Sequence, residues 1–293
     1  MYAVTGATGQ LGRLAIASLL RRVGPGEVVA LARDPAKASG LQELGILVRA
    51  FDYDEPDQLA ASLEGVTRLL FISSDDVERR IGQHRAVVDA AARISPALVA
   101  YTSIIHADVN PISLADSHRE TERMIAASGL PYAILRNSWY IENYLIGADA
   151  AMEHGALLGS TGDGAISGAT RADYAEAAAT VLTGEVLTSR VYELAGDEAF
   201  TLSDVAAVLS EVAGRPVTYR NLPEGSYCEA LVGAGVPADF AAALAEYSAK
   251  AAGRVLADDT RTLSGLVGHP TETMRDVLLR ALRRPVGLEG ALQ

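Results

Sequence analysis

The chain reads as an α/β protein: a doubly wound parallel sheet followed by a smaller α/β C-terminal lobe. Three observations carry that reading. Short aliphatic runs alternate with amphipathic stretches through the first half. The runs are almost continuously apolar, as strands covered on both faces must be, whereas half-exposed strands would alternate. A glycine-rich turn joins the first run to the first helical stretch, as in a right-handed βαβ unit.

The strand-like runs are YAVT (2–5), EVVALA (27–32), ILVRAF (46–51), TRLLFIS (67–73), ALVAYTS (97–103) and YAILR (132–136). Between them, apolar residues at three-to-four spacing predict helices at 11–22, 35–44, 55–65, 79–94 and 117–129. After about residue 145 the rhythm loosens. Residues 155–168 are glycine-rich and read as loop with short strands, 170–183 and 202–214 as helices, and 191–196 and 216–222 as strands. Gly214 suits a helix C-cap. Residues 1–145 are therefore expected to form the main parallel-sheet domain, with later strands free to rejoin its sheet. Residues 146–293 are expected to form a smaller lobe covering the substrate.

Composition narrows the function. Of 293 residues, 49% are hydrophobic and 21% charged, enough for a large core and too apolar for disorder. A net charge of -12 disfavours nucleic acid, which needs a basic face. The densest basic cluster, RALRRP (280–285), reads as a solvated helix C-terminus. The single cysteine, Cys228, permits no internal disulfide and no multi-thiolate metal site. No run of 18 or more apolar residues suggests a membrane span. The N-terminal residues show no charged leader, so a cytoplasmic protein is expected. Oligomeric state stays open.

The strongest motif is TGATGQLG (5–12). Gly6 permits the tight turn, Gly9 lets backbone approach a pyrophosphate, and Gly12 lets the helix pack on the sheet of a Rossmann-type domain. The helix start presents free N–H groups to the anion, with Thr5, Thr8, Gln10 and Leu11 around it. The second strand ends at Arg33 where an acid would hold a free ribose hydroxyl, which suggests a 2′-phosphate and hence NADP. Lys37 adds charge, while Asp34 before Pro35 reads as a helix cap. Asp52 and Tyr53, at the end of the third strand, would border the adenine. Ser73 and Ser74, at the end of the fourth, would lie near the cofactor's middle.

The motifs TGATGQLG, Arg33, DYD (52–54), FISS (71–74), AYTS (100–103), LRNSWYIENY (135–144), TRADYAEAA (170–178) and GHPT (268–271) occur in order along nearly the whole chain. In these the chain resembles the atypical short-chain dehydrogenase/reductases of the NmrA-like group. It looks most like the bacterial NADPH:quinone oxidoreductases, with the triphenylmethane reductases close by. The resemblance implies NADPH and a quinone-type acceptor, with Thr102, Ser103 and Asn137 also at the cofactor.

Ordinary members of the wider family carry a tyrosine and, four residues later, a lysine on the helix after the fifth strand. Here ADSHRETERM (115–124) has His118 and Glu122 in those places, and the only lysines are Lys37 and Lys250. His118 is open to three readings. It is a general acid supported by Glu122, a metal ligand, or a first-turn residue of a helix capped by Asp116 or Ser117. A nicotinamide reductase needs no metal, and none is expected. Alcohol–ketone chemistry is disfavoured, whereas a quinone or a cationic dye accepts hydride with little help from a proton.

The acceptor wall is expected from Ile104, His106, Asn137, Trp139, Tyr140, Asn143 and Tyr144, which offer flat surfaces and neutral hydrogen bonders near strand ends. Packing of Trp139 in a core is the alternative. No catalytic residue is assigned; Tyr140, Asn143 and His118 are the candidates. His84 is a further candidate at the cofactor edge, and Arg171 with Asp173 reads as a structural pair. The sequence supports an NADPH-dependent reductase of quinone-like acceptors. A nucleotide-binding redox sensor without turnover, like the NmrA regulators, or a reductase of triphenylmethane dyes, stands as the alternative.

Overall fold

The strand that leads into the glycine turn is the third of a seven-stranded sheet, paired on both sides. The computed structural model describes residues 1–185 and 187–283. In chain order the elements are β1 (Tyr2–Val4), α1 (Gln10–Leu20), β2 (Val28–Ala32), α2 (Ser39–Glu43), β3 (Leu47–Ala50), α3 (Pro56–Ser62), β4 (Arg68–Phe71), α4 (Arg80–Ile94), β5 (Leu98–Ile104), α5 (Leu114–Ala127) and β6 (Tyr132–Asn137). There follow α6 (Ala148–His154), β7 (Ala156–Gly159), α7 (Arg171–Thr183), β8 (Arg190–Leu194), α8 (Leu202–Ala213), β9 (Thr218–Asn221), α9 (Glu224–Gly233), α10 (Ala238–Ala251), α11 (Thr262–Val267) and α12 (Met274–Leu282).

The large sheet runs β3-β2-β1-β4-β5-β6-β8, every pair parallel. The direction of winding reverses between β1 and β4, so the ligand crevice opens at the carboxyl ends of those two strands. This is the Rossmann-type order that the strand–helix alternation predicts. Alternate strand residues feed two cores. Val4, Ala30, Ala100 and Leu135 pack with α1 and α7, while Phe71, Tyr101 and Ile134 pack with α3, α4 and α5. The two sides differ in texture. Ala175, Ala177, Ala178 and Ala179 make α7 slim enough to lie close on α1 and the sheet.

The chain past residue 145 does two things. α7 and β8 return to the large sheet, β8 pairing with β6. α11 joins them through Leu263, and most other segments build a second core around Ile141, Phe200, Leu209, Tyr247 and Leu278, with the parallel pair β7–β9 at its edge. Gly214 caps α8 in the left-handed region, φ 64°, as its sequence position predicts.

Two local expectations change. Residues 35–44 do not form one helix: a 3₁₀ turn at Pro35–Ala38, capped by Asp34, precedes the short α2. α5 starts at Leu114, so neither Asp116 nor Ser117 caps it; Asp116 is in its first turn and pairs with Arg119. Of RALRRP, Arg280 to Leu282 end α12 and Arg283 follows it, while 284–285 lie outside the described residues.

Candidate functional site

The glycine turn has the geometry its spacing requires. Gly6 sits at φ 56°, where a side chain is strained. A methyl group at Gly12 would collide with the Gly6 carbonyl oxygen and lie 2.9 Å from the Ala7 Cα. Gly9 is the N-cap of α1 and offers no side-chain cap, and the first turn holds no acid. The N–H groups of Gln10, Leu11 and Gly12 have no earlier partner in the helix and face the crevice mouth with the dipole's positive end. An anion fits there.

Thr5 and Tyr53 serve the turn from behind. Thr5 is fully buried, and the Tyr53 hydroxyl lies 2.6 Å from its Oγ1 and 2.9 Å from the Ile72 carbonyl oxygen. Burial holds that phenol well above its ordinary pKa. The Tyr53 hydroxyl therefore braces the end of β1 against the end of β4. Asp52 accepts the Asp54 N–H in a local turn.

At the end of β2, Arg33 is exposed and Asp34 is committed to the turn through the Ala36 N–H. A third cation joins Arg33 and Lys37. Arg13 donates through Nε to the Thr8 carbonyl at 2.9 Å and reaches the Lys37 carbonyl at 3.4 Å. Arg13 escapes a sequence reading because an arginine in an amphipathic helix looks like any solvated charge.

The serines divide. Ser73 is half-buried at the crevice, with its N–H on Thr102 Oγ1 at 2.9 Å. Ser74 and Ser103 are turned inward: Ser74 Oγ donates to Gln83 Oε1 at 2.5 Å, and Ser103 Oγ to Glu122 Oε1 at 2.6 Å. Their hydroxyl protons are therefore spent on protein acceptors.

The pair on α5 is occupied too. His118 is 5% exposed with Nδ1 2.8 Å from the Tyr101 hydroxyl. Burial, with Arg80 and His84 nearby, holds its pKa well below the ordinary value, so the ring stays neutral and carries no extra proton. Glu122 holds Arg136 with both oxygens, at 3.0 and 2.7 Å, and Arg136 also pairs with Asp108 and Glu193. Glu122 therefore cannot support His118 as a relay.

Asn137 ends β6 almost fully buried, and its Oδ1 has no hydrogen-bond partner. Such an atom costs stability unless a ligand or water meets it. Beyond it, the Arg171 guanidinium stacks over the Tyr140 ring, 4.4 Å from its centroid, and donates to Asn143 Oδ1 at 2.9 Å. Burial raises the Tyr140 phenol above its usual pKa, and Arg171 opposes that shift. Arg171 also pairs with Glu142, and Asp173 closes a capping box with Thr170, so both have structural partners but not each other.

The other wall candidates separate from this group. Trp139 and Tyr144, both partly exposed, pack against the second core, Tyr144 edge-on to Phe200 at 5.4 Å. Ile104 is buried beside Ala107 and Ala115. His106, at φ 51°, ties the loop after β5 to Asp258 through Nε2 at 3.2 Å.

A glycine cradle, an open helix N-terminus, three cations at the end of β2 and an orphaned amide oxygen together fit a phosphorylated dinucleotide. Comparison with known proteins agrees. The family described as NAD(P)H-binding matches residues 6–185. Quinone oxidoreductase 2 of Escherichia coli (strain K12) is 49% identical over 276 residues, 94% of this chain and 96% of that protein. The crystal structure of an NADPH-dependent quinone oxidoreductase from Escherichia coli, complexed with NADPH, superposes with a TM-score of 0.94 at 48% identity, covering 96% of this chain and 99% of that one. Citrobacter sp. triphenylmethane reductase complexed with NADP(H) gives 0.90 at 36% identity, covering 94% and 99%. With a family match over more than half its length and these two relationships, the chain belongs to the NAD(P)H-binding family, among the atypical short-chain dehydrogenase/reductases that its motifs resemble.

Proposed function

We propose that the chain is an NADPH-dependent reductase that passes hydride directly to a quinone-like acceptor. The observation that carries this is the state of α5. Both positions of the usual acid–base pair are committed to structure, His118 to Tyr101 and Glu122 to Arg136 and Ser103. A substrate that needs a strong proton donor is poorly served by such a site, whereas a quinone is not. Its reduced form is an aromatic oxyanion that takes a proton from water or a modest donor.

The chain's residues bind and orient. The Gly9–Gly12 backbone would hold the diphosphate at the N-terminus of α1. Arg33, with Arg13 and Lys37, would meet a 2′-phosphate, and Asn137 Oδ1 would accept from the carboxamide end of the cofactor. When bound, NADPH supplies the hydride. Tyr140 and Asn143, fixed by Arg171, would present a flat face and a neutral hydrogen bonder to a planar acceptor. Holding the reacting rings together in this way is most of what such a transfer needs.

The test is NADPH oxidation with a panel of quinones and a triphenylmethane dye, with NADH as control. Quinone-dependent oxidation that favours NADPH is expected. Tight nucleotide binding without turnover of any acceptor would replace the proposal with a redox sensor. Replacing His118 with Ala should lower quinone reduction less than about tenfold, because proton donation is dispensable. A loss of several hundredfold would mean that His118 acts as the donor.

A further inference from the structure

Three polar groups of Ser74 are held by three side chains of α4. Its N–H donates to His84 Nε2 at 2.9 Å, its carbonyl accepts from Arg80 Nε at 2.8 Å, and its hydroxyl donates to Gln83 Oε1 at 2.5 Å. Two of these holds continue into α5. His84 Nδ1 lies 2.8 Å from Thr121 Oγ1, and Arg80 donates through a second nitrogen to Ser117 Oγ at 3.2 Å. His84 and Arg80 are four apart on α4, and Thr121 and Ser117 are four apart on α5, so the two contacts form parallel rungs between facing helices. Every member is buried, His84 and Thr121 completely.

The proton positions follow from the donors. A backbone N–H can only donate, so His84 Nε2 accepts and the ring proton sits on Nδ1. Thr121 spends its own proton on the Ser117 carbonyl at 2.8 Å and receives the His84 proton on a lone pair. Burial pushes the His84 pKa down to about 3, so this one tautomer persists across the working pH range.

Nothing in the proposed reaction uses this ladder, yet it ends at the segment after β4, beside the winding reversal. We infer that His84 and Arg80 are positioning residues, a clamp that fixes the Ser73–Ser74 backbone as the crevice floor under the middle of the dinucleotide. The inference rests on the proposed function only for the identity of the ligand. With Ser74 immobilised at both its N–H and its carbonyl, Ser73 is fixed at the crevice against Thr102. Arg80 has a second part in the clamp: its charge beside His84 opposes protonation of the ring that must accept from Ser74.

Two measurements test the clamp. Nitrogen NMR of the wild-type protein without nucleotide should find the His84 proton on Nδ1, and a proton on Nε2 would overturn the inference. NADPH affinity, measured by fluorescence titration well below each protein's unfolding temperature, should weaken about tenfold or more in His84→Leu, which strands the buried Ser74 N–H. In His84→Gln, whose side-chain oxygen can still accept that N–H, affinity should stay within about threefold of wild type. A merely structural histidine would lower the unfolding temperature in both variants and leave affinity unchanged, and that result would also overturn the inference. If His84→Leu does not fold, His84→Met, which likewise offers no nitrogen or oxygen acceptor to the Ser74 N–H, takes its place, and an affinity within about threefold of wild type in that variant would overturn the inference. Wild-type protein that binds NADPH but reduces no acceptor removes the acceptor reading and leaves the clamp standing.

Discussion

A methyl group at Gly12 has nowhere to go, since Gly6 O and the Ala7 backbone already fill the space between turn and helix. Gly12→Ala should push α1 away from the turn, cost about 1–3 kcal/mol of stability as overpacking does, and weaken NADPH binding at least about tenfold through the displaced N–H groups. Urea unfolding and nucleotide titration measure the two effects. An unchanged affinity would mean that the cradle is not the phosphate site. Arg33 makes the opposite kind of prediction, because it is exposed and supports no fold contact. Arg33→Ala should lower kcat/KM for NADPH by about 10–100-fold, the worth of a charged hydrogen bond, and leave the NADH value nearly unchanged. Equal losses with both nucleotides would sink the 2′-phosphate assignment.

At the scale of elements, α5 decides what chemistry is open. Its polar face is welded to β5 and β6 by Ser103–Glu122–Arg136, and Arg136 answers three carboxylates at once. Arg136→Leu should therefore cost about 3–5 kcal/mol, because it leaves Glu122 largely buried without its cation. Restoring the family's usual pair by His118→Tyr with Glu122→Lys should destabilise the fold and yield no ketone reduction, since a lysine at 122 would face Arg136. Appearance of alcohol or ketone turnover in that double variant would show that α5 still reaches the crevice. How much could be read beforehand follows from the same geometry. The turn at Gly6 and the close approach at Gly12 were legible because they depend on neighbours a few residues away. The inward turn of Ser74 and Ser103 was not, because it depends on Gln83 and Glu122 from separate helices. Trp139 and Tyr144 were ambiguous for a related reason: the second core that receives them is assembled from segments as distant as Phe200 and Leu278.

For the molecule as a whole, acidification sets two effects against each other. The net charge of -12 at pH 7 shrinks toward the isoelectric point near 4.9, which relieves self-repulsion and favours the folded state. Most of that repulsion is between surface charges and is screened beyond about 8 Å at physiological salt. The buried histidines act the other way. His84 is pushed down to about 3, and His118 lies well below its ordinary value, both chiefly by burial. Unfolded, each would take up a proton near pH 6.5. Between about 6.5 and those lowered values the unfolded chain binds more protons, so unfolding free energy falls as pH falls, by up to about 1.4 kcal/mol per pH unit for each histidine. A second loss follows in stronger acid, because Asp76, Glu211 and Glu272 are held below the usual carboxylate range by arginine hydrogen bonds. Their contribution is present above the unfolded pKa and disappears as pH drops through the folded one. The buried term should win over the screened one. Urea midpoints at fixed salt should decline from pH 7 through 6 to 5, and the decline should flatten in His84→Gln, which has no proton to gain. A midpoint that rises toward pH 5 would mean that surface repulsion governs stability and that the two rings gain water or a counter-charge on acidification.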